Sequence, residues 1–339
     1  MIERTLMTKM HSLAQKFQVI TLTGPRQSGK TTLVKAAFAT MPYVSLEDPD
    51  IRQVALTDPR GFLSNYPEGA ILDEVQNAPD LFSYIQRLVD ENRQLQFILT
   101  GSSNFLLMEK ISQTLAGRTA VLHLLPFSFH ELEPVEEPYE SLIFKGSYPR
   151  IYDRDIAPTD FYPAYIQTYV ERDVRLIKNI GDINAFIQFT RLCAGRVGQL
   201  LNYTGLANDA GVSPNTVKAW LSVLESSYIL YRLQPYHRNF NKRLVKSPKL
   251  YFYDTGVACS LLGIRDENQV RLHYLRGALF ENLIINEFIK RNFNRGDNRQ
   301  PYFWQDNRGK EIDCLLENGE RITPVEIKSG KTLSMSFFD

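Results

Sequence analysis

The segment from Gly24 to Thr31 constrains the fold of this chain more than any other. It reads Gly24-Pro25-Arg26-Gln27-Ser28-Gly29-Lys30-Thr31 and fits G-x-x-x-x-G-K-[ST], the pattern of a loop that wraps nucleotide phosphates. Glycines let backbone N–H groups turn towards an anion, and the helix that follows presents its positive N-terminus. A strand-like run, 17–23, precedes the loop, and a helical run, 32–38, follows it. The alternative is a chance glycine turn.

We therefore predict that residues Gly24 to Thr32 bind ATP. Lys30 would reach the β- and γ-phosphates, and the Thr31 hydroxyl would bind Mg²⁺. Arg26, inside the loop, is also within reach of phosphate.

The apolar run 69–74 ends in two carboxylates, Asp73 and Glu74. A parallel strand buried on both faces is apolar throughout, and the active site lies at its C-terminal end. We expect Asp73 to hold Mg²⁺ through water and Glu74 to orient and polarise the attacking water. The alternative is a solvated corner between a strand and a loop.

Two further positions each have more than one interpretation. Ser102, with Asn104 as second choice, follows the apolar strand 96–100 and either touches the γ-phosphate or the water, or caps a helix. Arg118 reaches a neighbouring subunit's ATP as an arginine finger, caps the C-terminus of a helix, or pairs with an acidic neighbour.

The middle of the chain predicts short helices that form a lid and then a helix-turn-helix. Ser213 suits a helix N-cap and Pro214 the first helical position, so the second helix would present Asn215, Thr216, Lys218 and Trp220 to a major groove. Two strands, 229–233 and 249–253, would complete a winged helix. Its role is either DNA binding or protein packing.

The stretch between Ser226 and Tyr253 has six Lys or Arg residues and no acidic residue. Five of them cluster with the aromatic side chains of Tyr236 and Phe240, a combination that suits phosphate contact and base stacking. The five are Arg238, Lys242, Arg243, Lys246 and Lys249.

Near the C-terminus, carboxylates and a lysine recur on a predicted helix and hairpin. Glu281 lies on a helix, and Asp313 precedes Glu326 by 13 residues, a natural reach across one hairpin. Period-2 alternation puts Glu326 and Lys328 on one face of a strand. The carboxylates of Glu281, Asp313 and Glu326 suit Mg²⁺ or Mn²⁺, and Lys328 would stabilise charge on an attacked phosphate. The alternative is a set of solvated charges on an edge hairpin.

These motifs together resemble the AAA-type ATPases of the AAA_14/DUF4143 family. The resemblance rests on the phosphate loop, Leu46-Glu47-Asp48, Leu72-Asp73-Glu74-Val75-Gln76, Thr100-Gly101-Ser102-Ser103 and Leu115-Ala116-Gly117-Arg118. It implies an oligomeric ring, a hexamer. The C-terminal set resembles the PD-(D/E)xK nuclease site, which implies catalytic roles for Glu281, Asp313, Glu326 and Lys328. That nuclease fold continues with another helix and strand, whereas the last residue here is Asp339, so we expect either a truncated product or an incomplete C-terminal core.

The resulting fold prediction is α/β with four parts. A P-loop AAA-type ATPase core would span 1–125, a helical lid 126–190, a winged helix-turn-helix 191–256, and a restriction-endonuclease-like α/β region 257–339.

Composition limits the compartment and the partners. The 339 residues carry a formal net charge of +1, so any basic surface for nucleic acid must be local. Cys193, Cys259 and Cys314 lack zinc-site spacing and form a poor disulfide framework, which favours the cytoplasm. No apolar run has the length of a membrane span, so we expect no membrane partner.

The sequence thus predicts an ATP-hydrolysing protein that binds DNA and cuts it with Mg²⁺, acting on branched or repair-intermediate DNA. One alternative is a nucleotide-switched regulator or defence ATPase that binds DNA or protein without nuclease activity. Another is an ATPase that acts on protein partners, with the winged helix as an assembly surface.

Overall fold

The computed structural model describes residues 2–102, 113–134, 136–169, 180–236, 247–306, 308–319 and 321–330. The chain divides into two units. The first comprises Met1–Phe127 with Phe293–Asn298, and the second comprises Ser128–Asn292 with Arg299–Asp339. Among the described residues, no helix combines the length and the apolar composition that a membrane span requires.

The first unit alternates strands and helices. Its helices are α1 (Leu6–Ala14), α2 (Lys30–Ala37), α3 (Pro49–Thr57), α4 (Pro59–Ser64) and α5 (Leu81–Glu91). Its strands are β1 (Val19–Thr23), β2 (Tyr43–Ser45), β3 (Ile71–Asp73), β4 (Phe97–Gly101) and β5 (Thr119–His123). A 3₁₀ turn, Val75–Asn77, follows β3.

The strands of the first unit form one parallel sheet in the order β2-β3-β4-β1-β5. Alternate residues enter two hydrophobic cores, as the period of two requires. Leu72 and Leu99 join the core that contains residues of α5, whereas Ile71 and Ile98 join the core that contains residues of α1 and α2. Because the strands are parallel, the segments after β1, β3 and β4 leave the sheet at the same edge, where a ligand site is expected.

The second unit is rich in helices. They are α6 (Tyr139–Lys145), α7 (Pro149–Asp153), α8 (Pro158–Tyr165), α9 (Ile183–Ala194), α10 (Tyr203–Ala210), α11 (Pro214–Ser226), α12 (Thr255–Leu261), α13 (Glu267–Leu272) and most of α14 (Arg276–Asn294). A 3₁₀ turn, Phe129–Leu132, precedes them. The strands are β6 (Leu230–Pro235), β7 (Lys249–Phe252), β8 (Tyr302–Gln305), β9 (Glu311–Asn318) and β10 (Arg321–Val325).

One sheet joins all five strands of the second unit in the order β10-β9-β8-β6-β7. The first part of β6 pairs antiparallel with β7, and its last two residues pair parallel with β8. Strands β8, β9 and β10 pair antiparallel. The sheet therefore crosses the predicted domain boundary at 256/257.

Helices α10 and α11 follow the sequence prediction closely. The Ser213 hydroxyl accepts a hydrogen bond from the Thr216 backbone N–H at 3.1 Å, and Pro214 is the first residue of α11, so both predicted end signals are confirmed. Gly211 ends α10 in the left-handed conformation, at φ 68°, which glycine adopts without strain.

Trp220 does not face outwards as the predicted groove helix requires. It is buried and packs edge-on against two phenylalanine rings of α9, with centroids 5.4 Å from Phe186 and 5.3 Å from Phe189. Helical periodicity puts Trp220 on the face of Val217, while Asn215 and Lys218 are exposed. The groove assignment was wrong for Trp220, which belongs to the core.

We expect Trp220→Ala to lower the free energy of unfolding of the second unit by about 3–5 kcal/mol, because it leaves a large cavity against α9. Thermal or urea unfolding of the full chain measures this loss. Lys218→Ala on the exposed face of α11 is the control and should unfold like the wild type. Equal stability of Trp220→Ala and the wild type would contradict the packing role.

Candidate ATP site and carboxylate cluster

The predicted phosphate loop joins β1 to α2 and has the conformation that its glycines permit. Gly24 has φ 156°, and a Cβ on it would lie 2.2 Å from the backbone oxygen of Leu124, so only glycine fits there. Gly29 caps α2 at φ 93°. The loop therefore turns directly into the N-terminus of α2, which is the anion-binding arrangement.

Lys30 is buried in the loop and holds its backbone. Its Nζ donates to the carbonyl oxygens of Gly24 at 3.0 Å and Pro25 at 2.9 Å. Burial lowers the pKa of Lys30, although the Glu74 and Asp73 carboxylates oppose that shift. Nearby, the buried Ser28 hydroxyl has no hydrogen-bond partner among the described residues. A buried cation and an unsatisfied hydroxyl fit a phosphate ligand.

Arg4, which sequence reasoning did not select, braces the loop. Its buried guanidinium donates to the carbonyl oxygens of Ser28 at 2.8 Å and Leu125 at 2.6 Å, and lies 4.8 Å from the centre of the Phe127 ring. An arginine just before an amphipathic helix reads as a surface charge, so no local signal could identify this role.

Asp73 ends β3 and accepts hydrogen bonds from three hydroxyl groups. Thr31 Oγ1 donates to Oδ2 at 2.8 Å, Tyr43 Oη donates to the same oxygen at 2.6 Å, and Thr100 Oγ1 donates to Oδ1. Burial, followed by the Asp73 contact, raises the pKa of Tyr43, so its phenol stays a donor. The structure thus brings the two predicted Mg²⁺ ligands together, and their hard oxygens fit that ion.

Glu74 lies beside Asp73 with its backbone in the left-handed region, at φ 54°. A non-glycine residue in that region is strained, and such strain concentrates at functional sites. Ser102 donates to Glu74 Oε2 through its hydroxyl at 2.9 Å and its backbone N–H at 3.3 Å. Ser102, the first choice from sequence, therefore contacts the candidate catalytic carboxylate. Asn104 lies outside the described residues.

The two remaining arginines both have acidic partners within the chain. Arg118 forms a two-bond ion pair with Asp90, at 2.6 and 2.9 Å, and also donates to the Ala116 carbonyl. This is the acidic pairing that sequence reasoning left open beside the arginine finger. Arg26 is exposed, and its Nη2 lies 3.9 Å from Glu47 Oε1.

The second unit brings three carboxylates together. One oxygen each from Glu281 on α14 and from Glu311 and Asp313 on β9 lie within 4.8 Å of one another, and this group is called the carboxylate cluster below. Glu311, two residues before Asp313 on the same strand, was not among the predicted metal ligands. Conversely, Glu326 lies outside the cluster.

Glu326 and Lys328 follow the hairpin rather than lie in its second strand. The pairing of Val325 with Cys314 confirms the predicted hairpin, but β10 ends at Val325. Lys328 Nζ lies 2.5 Å from Glu326 Oε1 and 3.4 Å from Asp313 Oδ2. Burial lowers the pKa of Lys328, but Glu326 and Asp313 raise it more, so the net shift is upwards.

Lys249 was assigned to the basic DNA surface, and the structure contradicts this. The side chain is buried, and its Nζ lies 3.2 Å from Glu281 Oε1 and bonds Glu311 Oε1. Burial opposes the charge of Lys249, but the two carboxylates outweigh it and raise its pKa; burial also raises the pKa of Glu281. Tyr251 donates to Glu281 as well.

The other basic residues of that stretch support no DNA surface within the described part of the chain. Arg232 is paired with Glu225, with Nη2 2.5 Å from Oε2. The remaining four lie outside the described residues; they are Arg238, Lys242, Arg243 and Lys246.

Comparisons with known proteins agree with the geometry of the first unit. Residues 16–133 match the model of the AAA domain family AAA_14, residues 136–268 match a domain of unknown function, DUF8612, and residues 276–339 match another, DUF4143. A solved structure, that of the Walker-type ATPase PABY2304 of Pyrococcus abyssi, aligns with a TM-score of 0.52 at 15% identity, covering 77% of this chain and 96% of that one.

Relatives also match by sequence, among them two uncharacterized proteins. An uncharacterized protein of Mycobacterium tuberculosis is 27% identical over 339 residues, which cover 98% of this chain and 75% of the relative. An uncharacterized protein of Methanocaldococcus jannaschii is 22% identical over 311 residues, covering 83% and 67%. The matches to AAA_14 and DUF4143 cover separate parts of the chain, and the likeness to the Walker-type ATPase shows a shared fold.

We expect the buried pair of Lys249 and Glu281 to be energetically coupled. Lys249→Met leaves two carboxylates without their cation and should cost about 3–5 kcal/mol of unfolding free energy. Adding Glu281→Gln removes one of those charges, so the double variant should lose less than the sum of the two single changes. Urea unfolding of the four proteins measures the coupling.

The exposed pair of Arg87 and Glu91 provides the control, because its side chains remain largely in water. Arg87→Ala should leave the unfolding midpoint unchanged. Strict additivity of Lys249→Met and Glu281→Gln would contradict the coupling.

Proposed function

We propose that the first unit binds and hydrolyses ATP at the site formed by the loop from Gly24 to Thr32 and the ends of β3 and β4. The observation that carries this proposal is the hydrogen bond between Thr31 and Asp73, with Lys30 buried in the loop and Glu74 next in the chain. Lys30 and the backbone N–H groups of the loop hold the phosphates. Glu74 accepts a proton from the attacking water and orients it.

Thr31 and Asp73 are the residues that would hold Mg²⁺. When bound, the ion would supply positive charge that neutralises the phosphate oxygens. The Thr31 hydroxyl has its proton directed to Asp73, which leaves its oxygen lone pairs for the ion. Tyr43 and Thr100 keep the Asp73 carboxylate in place through their own hydrogen bonds.

We further propose that the second unit binds DNA and cuts it with the help of Mg²⁺ or Mn²⁺. Support comes from the carboxylate cluster, from Lys328 beside Asp313 and Glu326, and from the resemblance to the PD-(D/E)xK site. Glu281, Glu311 and Asp313 would hold the cation, which supplies a Lewis acid for the attacked phosphate. Lys328, which is half exposed, is available to a phosphate oxygen.

DNA contact is proposed for the exposed side of α11, around Asn215 and Lys218, together with the basic residues of 237–246. A homo-oligomeric ring belongs to the same proposal. In it, Arg118 would leave Asp90 in order to reach the ATP of a neighbouring subunit.

The second candidate function is a nucleotide-switched regulator that binds DNA or protein without cutting DNA. Lys249 favours it, because its ammonium group already bonds two of the three clustered carboxylates. A cluster with a resident cation has less need of a metal ion. The two candidates share the ATP site and differ only in the chemistry of the second unit.

We expect Lys30→Ala to abolish ATP turnover by weakening nucleotide binding. Glu74→Gln should abolish turnover while nucleotide binding persists, because only the proton acceptor is lost. Phosphate release and the binding of a fluorescent ATP analogue measure the two effects. Lys16→Ala, which removes an exposed lysine of the same unit, is the control. Unchanged hydrolysis by Glu74→Gln would exclude that residue from its proposed role.

We expect DNA cleavage that needs Mg²⁺ or Mn²⁺ and is lost in Lys328→Ala and Asp313→Asn. Linear, single-stranded and branched DNAs, incubated with metal or EDTA and with or without ATP, provide the measurement. Lys310→Ala, at an exposed position before β9, is the matched control. Cleavage that survives Lys328→Ala would refute the site assignment, and absence of cleavage by the wild type on every substrate would favour the regulator.

A further inference from the structure

The 3₁₀ turn after β3 places Gln76 against the candidate catalytic carboxylate. Gln76 Nε2 donates a hydrogen bond to Glu74 Oε2. The orientation of the amide follows from its chemistry, because only the N–H side can face a carboxylate oxygen. The sequence motif Asp73-Glu74-Val75-Gln76 includes this glutamine, yet neither ATP binding nor the hydrolysis described above gives it a role.

Gln76 and Ser102 together saturate one oxygen of Glu74. Oε2 accepts from Gln76 Nε2, from the Ser102 hydroxyl at 2.9 Å and from the Ser102 backbone N–H at 3.3 Å. Within the described part of the chain, Oε1 of the same carboxylate accepts no hydrogen bond. Only Oε1 of Glu74 is thereby left to accept a proton.

The other end of the Gln76 amide is unsatisfied. Its Oε1 is buried and has no hydrogen-bond partner among the described residues. A buried acceptor without a partner is costly, so such an atom in a functional site suits a water or ligand that donates a hydrogen bond to it. A water molecule has two hydrogens to donate, and Glu74 Oε1 and Gln76 Oε1 are two unfilled acceptors on neighbouring groups.

We propose that Gln76 is a positioning residue for ATP hydrolysis, which fixes Glu74 through its amide nitrogen and accepts from the attacking water through its amide oxygen. This inference rests on the proposed hydrolysis of ATP by Glu74. One proton of the water passes to Glu74 as the water oxygen attacks the γ-phosphorus. The bond between the γ-phosphorus and the bridging β-phosphate oxygen breaks, and ADP leaves. Gln76 itself neither gains nor loses a proton.

The experiment compares Gln76→Ala and Gln76→Glu with the wild type. Gln76→Ala should lower kcat by about 10²-fold, the lower end of the range for general base catalysis, because Glu74 keeps only its Ser102 hydrogen bonds and the attacking water loses the amide acceptor. The affinity for a fluorescent ATP analogue should stay within about twofold of the wild-type value, since the Gln76 side chain bonds Glu74 and not the phosphate loop. Asn77→Ala is the matched control: it removes the neighbouring amide, which donates to the Leu46 carbonyl at 3.3 Å and not to Glu74.

Gln76→Glu adds a readout that a structural role would not produce. The new carboxylate lies against Glu74, and two like charges in contact raise the pKa of the pair. The acid limb of the kcat profile should therefore move to higher pH. This variant keeps the shape of glutamine, so it also serves if Gln76→Ala does not fold, as judged by circular dichroism.

Each outcome decides the inference. A kcat loss with unchanged nucleotide affinity, a shifted acid limb in Gln76→Glu and a normal Asn77→Ala support it. The inference is overturned if Gln76→Ala keeps the wild-type kcat and Gln76→Glu an unshifted acid limb, or if Asn77→Ala loses as much kcat as Gln76→Ala. In those cases Glu74→Gln is still inactive, and the ATPase proposal stands. A wild-type protein that does not hydrolyse ATP overturns the proposed function, and the inference with it.

Discussion

The hydrogen bond between Thr31 and Asp73 depends on the order of strands in the first sheet, and the rest of the ATP site depends on that bond. Strands β1 and β3 are not neighbours, because β4 lies between them. The C-terminal end of β4 and the residue after it therefore reach both carboxylates, with Thr100 on Asp73 and Ser102 on Glu74. One strand order thus brings the predicted phosphate loop, the predicted metal ligands and the Ser102 partner of Glu74 together from three adjacent strand ends.

The buried lysines of the two candidate sites, Lys30 and Lys249, differ in how their charge is compensated. Lys30 donates to backbone carbonyls only, and burial lowers its pKa, so its charge is incompletely compensated and an anion would stabilise it. Lys249 bonds two carboxylates, and its pKa is raised. Its charge is already matched. Lys30 therefore has no carboxylate bonded to it, whereas Lys249 has two.

The sequence predicted those features whose residues are contiguous in the chain or lie at the end of a strand with a recognisable apolar pattern. The phosphate loop, the end of β3, the helix end signals around Ser213 and the hairpin of β9 and β10 are all local patterns. It missed the groups that arrive from distant parts of the chain. Arg4 and Tyr43 contact the site across 24 and 30 residues, and neither has a local signature.

The errors at Trp220 and Lys249 have a common physical cause. Both residues have types that occur on nucleic-acid surfaces, but residue type does not say which face of an element meets the core. All four residues of β7 are buried, so the charge of Lys249 could only be accommodated where carboxylates meet it. Glu311 shows the converse, because only the fold reveals that it bonds the buried Lys249.

The second unit cannot be divided between β7 and β8 without an energetic cost. Strand β6 pairs with β7 through its first residues and with β8 through its last two, so it connects the helix-turn-helix to the strands that carry the cluster. Lys249 on β7 adds a charged contact to α14 and β9. A fragment beginning at residue 257 would leave the β8 edge unpaired and Glu281 and Glu311 without their ammonium group. Buried charges that lose a partner destabilise a fold more strongly than the pair stabilises it. Strands β6 and β7 must therefore be retained together with the carboxylate cluster.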